Sequence, residues 1–225
     1  MYSQHLHINH MMKAKTKSIF FLILMFLLYS VGLGTIGIIV FFSIDNDSLH
    51  LGAIIAYIVF TIPFLYILFK KTRIHLFSPA TEHASTNFPW LRLLCIAIAL
   101  FAIGEVYARL FSPYPTTAHE TSVVNIIIDA LSNLLFAPIL EELFYRKWMI
   151  TYLERARVKP IYILLITSFL FFIAHIEFFH WYFRCETFLF GVVMYYIYTK
   201  YRDVRCCMFV HFINNLLAVV LSYIG

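Results

Sequence analysis

The chain has 225 residues, of which 62% are hydrophobic and 13% charged, and a net charge of +5. Soluble domains carry about a quarter charged residues. Half that share, with a mean hydropathy of +0.82 and apolar residues in long blocks, excludes a soluble domain and implies an integral membrane protein of several helices.

In chain order the apolar segments fall at 18–42, 49–69, 90–111, 122–150, 160–179, 185–200 and 205–224. Each approaches the roughly 20 residues that cross a bilayer, the sixth being the shortest. The fold expected is therefore all-α, a polytopic transmembrane bundle of about seven spans. The first segment is too long for a signal-peptide core and lacks a small-x-small cleavage site, so it reads as an uncleaved span. The connectors are DNDS (45–48), KKTR (70–73), SPYPTTAHE (112–120), LERARVKP (153–160) and KYRDVR (200–205). With the N-terminus inside, the MKAKTK run, KKTR, the 146–159 region, KYRDVR and Arg92 place fifteen of the seventeen Lys and Arg residues on the cytoplasmic side. Only Arg109 and Arg184 face out, so the N-terminus is read as cytoplasmic and the C-terminus as external. The positive charge is then topology, and nucleic acid is not expected as a partner. Cys95, Cys185, Cys206 and Cys207 have neither metal-ligand nor disulfide spacing. The adjacent Cys206 and Cys207 read as small apolar residues, with acylation as the alternative.

Ionisable residues inside a span cost roughly 2.5–3.5 kcal/mol each on insertion scales and face the bundle interior. The fourth segment nevertheless contains EELFYR (141–146). Glu142 and Arg146 share a helix face four residues apart, in the favoured orientation for an ion pair. Glu141 lies about 100° away on the helical wheel and is left to face another element. Pro138 cannot donate a backbone hydrogen bond and is expected to kink the helix. Asn125, Asp129 and Asn133 form a polar stripe read as interhelical hydrogen bonding. The fifth segment ends FFIAH, with Phe171 one turn before His175, and the seventh carries HFINN, with His211 and Asn215 on one face. Counted from the cytoplasmic ends, Glu141, His175, His211 and Asn215 lie roughly 18, 22, 10 and 16 Å deep. That is compatible with one buried polar site entered from the cytoplasm. Glu105 and Arg109, near the outer boundary of the third segment, read as a structural pair.

These three stretches resemble the motifs E-E-x-x-x-R, F-x-x-x-H and H-x-x-x-N of the CAAX protease and bacteriocin-processing family, which includes the type II CAAX prenyl endopeptidases. Glu141, Glu142 and Arg146 match the first motif, Phe171 and His175 the second, His211 and Asn215 the third. The resemblance covers about 120–225, which sets a CAAX-protease-like core in the C-terminal four spans apart from a three-span region at 1–119. It implies an intramembrane endopeptidase with a hydrated cavity facing the cytoplasm. By the same resemblance, Glu141 activates a water helped by His175, His211 and Asn215 stabilise the oxyanion, and Glu142 with Arg146 holds the helix. Desolvation of an unpaired carboxylate favours proton uptake, as a general base requires.

The family also carries a metalloprotease label, and Glu141, His175 and His211 are the candidate zinc ligands. The H-E-x-x-H signature is absent: His119-Glu120 is not followed by a second histidine at the required position, and 175–180 spaces its histidines five apart. A reaction without a cofactor is the favoured reading, with zinc the alternative. No aspartyl G-x-G-D or serine G-x-S-x-G motif is present. The expected partners are the bilayer and a membrane-associated peptide or protein. By analogy the location is a bacterial inner membrane. A non-catalytic immunity or peptide-binding protein and a proton-relaying transporter remain as alternatives.

Overall fold

A computed structural model describes residues 2–43, 49–76, 88–111, 123–175 and 185–224. The His119-Glu120 pair, His180 and Arg184 lie outside the described residues. Among those described there is no strand, and the chain forms seven helical segments. They are α1 (Tyr2–Ser43), α2 (Leu49–Ala56, a wide π-helical turn Tyr57–Thr61, then Ile62–Thr72) and α3 (Trp90–Phe111). α4 runs Val123–Arg155 and contains two π-helical stretches, Leu131–Phe136 and Leu143–Ile150, around the short α-helical piece Ala137–Glu142. α5 (Pro160–Ala174), α6 (Cys185–Tyr201) and α7 (Val204–Ile224) complete the bundle.

Five helices are long and apolar enough to cross a membrane: Thr16–Ile36 within α1, Leu51–Thr72, Trp90–Phe111, Val123–Arg155 and Val204–Ser222. Their lipid-type faces are unmistakable, with Leu91, Leu110 and Val123 exposed among many other large apolar side chains. The chain is an integral membrane protein. The fifth segment departs from expectation. It ends at Ala174, with His175 as its cap, so it has 15 residues where the apolar run suggested 160–179. That is about 22 Å of helix, short of a hydrocarbon core of about 30 Å. His175 therefore sits at a helix end within the bundle.

α4 is the central helix because its aromatic residues recur every four positions. Phe144 stacks on Trp148 and Trp148 on Tyr152, while Tyr29 of α1 stacks on Phe144 at 4.1 Å. Trp148 Nε1 donates to Thr72 Oγ1. Every residue from Glu142 to Ile150 is buried.

The basic connectors meet at one end of the bundle. Arg155 donates to the last carbonyls of α2, those of Thr72 and Arg73, at 2.8 and 3.1 Å, which satisfies groups that a helix end leaves open. Arg202 is bidentate on Glu154 at 2.7 and 2.8 Å. Ser18, at the end of the MKAKTK run, lines one surface hollow with Lys71 and Arg155. Cys206 and Cys207 are buried in α7, as small packing residues are.

α5 and α6 approach through a small-residue contact. A methyl group added at Gly191 would stand 2.9 Å from the Ser168 Cα, and Ser168 is itself fully buried. Close backbone approach of this kind is how membrane helices gain packing energy. Gly191→Ala must push α5 and α6 apart and is expected to destabilise by about 1–3 kcal/mol. The check is a lower thermal unfolding midpoint of the detergent-solubilised protein.

Candidate functional site

The π-helical stretches decide where the polar groups of α4 point. In the first of them Ala137 N–H bonds to Ser132 O, five residues back. The next amide in that register is residue 138, a proline, which has no N–H. In that register the Asn133 carbonyl meets a proline rather than an amide, and Asn215 Nδ2 of α7 donates to it at 2.8 Å. Asn133 also uses its side chain, donating to Asp129 one turn earlier, so the expected polar stripe is bonded along the helix and its backbone bonds across to α7.

This arrangement predicts a measurable coupling. Asn215→Ala orphans the Asn133 carbonyl and is expected to cost about 1–3 kcal/mol. In a Pro138→Ala background residue 138 regains its N–H, and the same substitution should cost measurably less. A double-mutant cycle on unfolding free energy in mixed micelles reads the difference.

At the second bend the two glutamates separate. Glu142 is fully buried. Its Oε2 lies 3.3 Å from Arg146 Nε, and its Oε1 accepts from His211 Nδ1 at 2.9 Å. Arg146 is also buried, with its guanidinium 4.4 Å from the centroid of the Phe171 ring, a cation–π contact. Glu142 therefore organises both the arginine of its own helix and the histidine of α7. The second partnership was not expected from the sequence, where His211 was grouped with Asn215, His175 and Glu141 and not paired with Glu142.

Glu141 faces the other way. Its Oε2 is 3.6 Å from His175 Nε2, and its Oε1 accepts from the Tyr57 hydroxyl at 3.5 Å. His175 Nδ1 donates to the Phe171 carbonyl at 2.8 Å, and the Phe171 ring packs on the imidazole at 4.3 Å. A carbonyl only accepts, so Nδ1 carries a hydrogen and Nε2 is the nitrogen presented to Glu141.

A cavity of about 330 Å³ adjoins these groups, lined by Phe171, His175, His211, Asn215, Glu105 and Glu186 among others. Glu141 is outside its lining and stands behind His175, with 12% of its side chain exposed. The walls come from the far half of α3, the end of α5, the start of α6 and the middle of α7. Its lining residues on α3, α5 and α6 stand toward the helix ends farther from the basic connectors. Glu105 keeps its partner Arg109 at 3.8 Å, as expected, and also forms part of the cavity wall.

All seven motif residues come from α4, the end of α5 and α7, yet the site draws on the N-terminal helices as well, through Tyr57 of α2 and the wall of α3. Sequence reasoning missed Tyr57. The available signal was a polar hydroxyl in an otherwise apolar run, with Pro63 close behind.

Zinc was the alternative chemistry. Among the described residues, no group of three or more His, Cys, Asp or Glu side chains is gathered to hold a metal ion. One nitrogen of each histidine is committed, to Phe171 and to Glu142, which leaves Nε2 of each without a hydrogen bond to those groups.

A helical membrane bundle with paired acid–histidine contacts beside one cavity defines the class. Residues 123–217 match the family model described as Rce1-like, type II CAAX prenyl endopeptidase Rce1-like. A search of curated proteins and a search of solved structures each found no match. This segment, less than half of the chain, contains every motif residue and is similar to the CAAX protease and bacteriocin-processing family.

Proposed function

We propose that the protein is an intramembrane endopeptidase that hydrolyses a peptide bond of a membrane-associated peptide or protein. The observation that carries this reading is the Glu141–His175 pair beside a cavity that His211 and Asn215 also line. In the proposed reaction a water donates a proton to this pair while its oxygen attacks the scissile carbonyl carbon. The carbonyl becomes a tetrahedral oxyanion. Asn215 has a second amide hydrogen beyond the one given to Asn133, and it donates to the oxyanion. His211, whose Nδ1–H is given to Glu142, joins it through Nε2–H as the imidazolium. As it collapses, the C–N bond breaks and the proton held by the pair passes to the departing amine. No metal or other cofactor is required. The end bearing the basic connectors is assigned to the cytoplasm by the positive-inside rule, in a bacterial inner membrane.

The test incubates purified wild-type protein with a library of membrane-derived peptides, with and without a chelator. The proposed reaction gives new peptide termini at the same rate in both. Products lost with the chelator would reinstate a metal. Peptides bound and left intact by wild-type protein would point to a binding or immunity role.

A further inference from the structure

We propose that Tyr57 is a positioning residue for the Glu141 carboxylate, supplied by α2 from outside the segment that matches the protease family. Glu141 is bracketed: His175 stands at one carboxylate oxygen and the Tyr57 hydroxyl at the other. Those are the two groups the structure gives it, and they come from different helices, 84 residues apart on the tyrosine side. The bracketing is built into the backbone. Tyr57 opens the π-helical turn of α2, where Ile62 N–H bonds to Tyr57 O. Its ring is stacked on Phe136, the last residue of the first π-helical stretch of α4, with centroids 5.9 Å apart and planes 10° apart. The two irregular turns therefore meet through one aromatic pair, and the hydroxyl at the end of that pair reaches the carboxylate. Irregular turns of this type concentrate where a helix must aim a side chain.

The chemistry explains what the contact does. A carboxyl group held at one oxygen can still rotate the other away from the water it must deprotonate. A donor at Oε1 fixes that rotation and leaves Oε2 toward His175. The donor is also a neutral hydroxyl, so it orients the charge without neutralising it, as a lysine or arginine at that place would. Tyr29 of α1 offers a matched comparison. It is also buried, lies within electrostatic reach of Glu141, and its hydroxyl has no hydrogen-bond partner among the described residues.

The kinetic part of the test rests on the endopeptidase reading, and the spectroscopic part does not. Tyr57→Phe keeps the ring stack and removes only the hydroxyl. It is expected to lower kcat about tenfold, the share of one hydrogen bond to a charged group, with KM and the thermal midpoint unchanged. Tyr29→Phe is expected to leave kcat unchanged. An undiminished kcat in Tyr57→Phe, or an equal loss in Tyr29→Phe, overturns the proposal. The carboxyl infrared band of Glu141, isolated by subtracting the Glu141→Gln spectrum, is expected to shift in Tyr57→Phe and not in Tyr29→Phe. If wild-type protein cleaves no peptide, the endopeptidase reading fails and this band decides alone: a shift upholds the Tyr57 contact, and an unmoved band overturns it.

Discussion

Glu141→Gln is expected to reduce peptide hydrolysis by about 10²–10⁴-fold, the range assigned to a positioned general base, while the protein folds and inserts normally. Gln has the shape of Glu and can still accept from Tyr57, but it cannot take a proton from water. Among the described residues Glu141 has no salt-bridging arginine or lysine, and it retains partial exposure, so its neutralisation strands no described buried cation. The loss should therefore fall on kcat, with KM and the thermal midpoint close to wild type. Initial rates over a range of peptide concentrations, with thermal unfolding measured on the same samples, make the check. A variant that unfolds would mean instead that Glu141 is structural.

Glu142→Ala is expected to act in the opposite manner, through stability. Glu142 and Arg146 are both essentially inaccessible to solvent, and deleting one partner of a buried ion pair costs about 3–5 kcal/mol because the other charge is stranded. His211 loses the acceptor for its Nδ1 in the same step. The double substitution Glu142→Leu with Arg146→Met removes both charges and should recover most of that stability. It should not recover activity, since His211 remains without its anchor. Unfolding midpoints and hydrolysis rates for the single and double variants separate the two effects. Recovery of activity along with stability would contradict an orienting role for Glu142 on His211.

Much of this site could be read along single helices. The spacing of Glu142 and Arg146 is a property of one helical turn, and so is the ring of Phe171 against His175. The 100° between Glu141 and Glu142 suffices to say that the two acids face different neighbours. What could not be read depends on relations between helices or on backbone register. Nothing in HFINN indicates that His211 bonds to Glu142 while Asn215 bonds to a carbonyl. The second contact falls where Pro138 cannot supply the amide of a π-helical register, and that register is not written in the residue types. At α5 the start at Pro160 was legible and the end was not: the apolar run continues past Ala174 although the described helix does not. That end carries His175, which lines the cavity. Tyr57 offered only a hydroxyl in an apolar run, since pairing across 84 residues leaves no local pattern.

The measurement that bears most directly on the whole account is oxygen labelling of the products. Purified wild-type protein and Glu141→Gln would be incubated with a cleavable peptide in ¹⁸O-enriched water and the fragments weighed by mass spectrometry. The account predicts that wild-type protein places one labelled oxygen in each new C-terminal carboxylate and that Glu141→Gln forms almost no fragment. Labelled fragments at equal rates from both proteins, or fragments from wild type that carry no label, would contradict it.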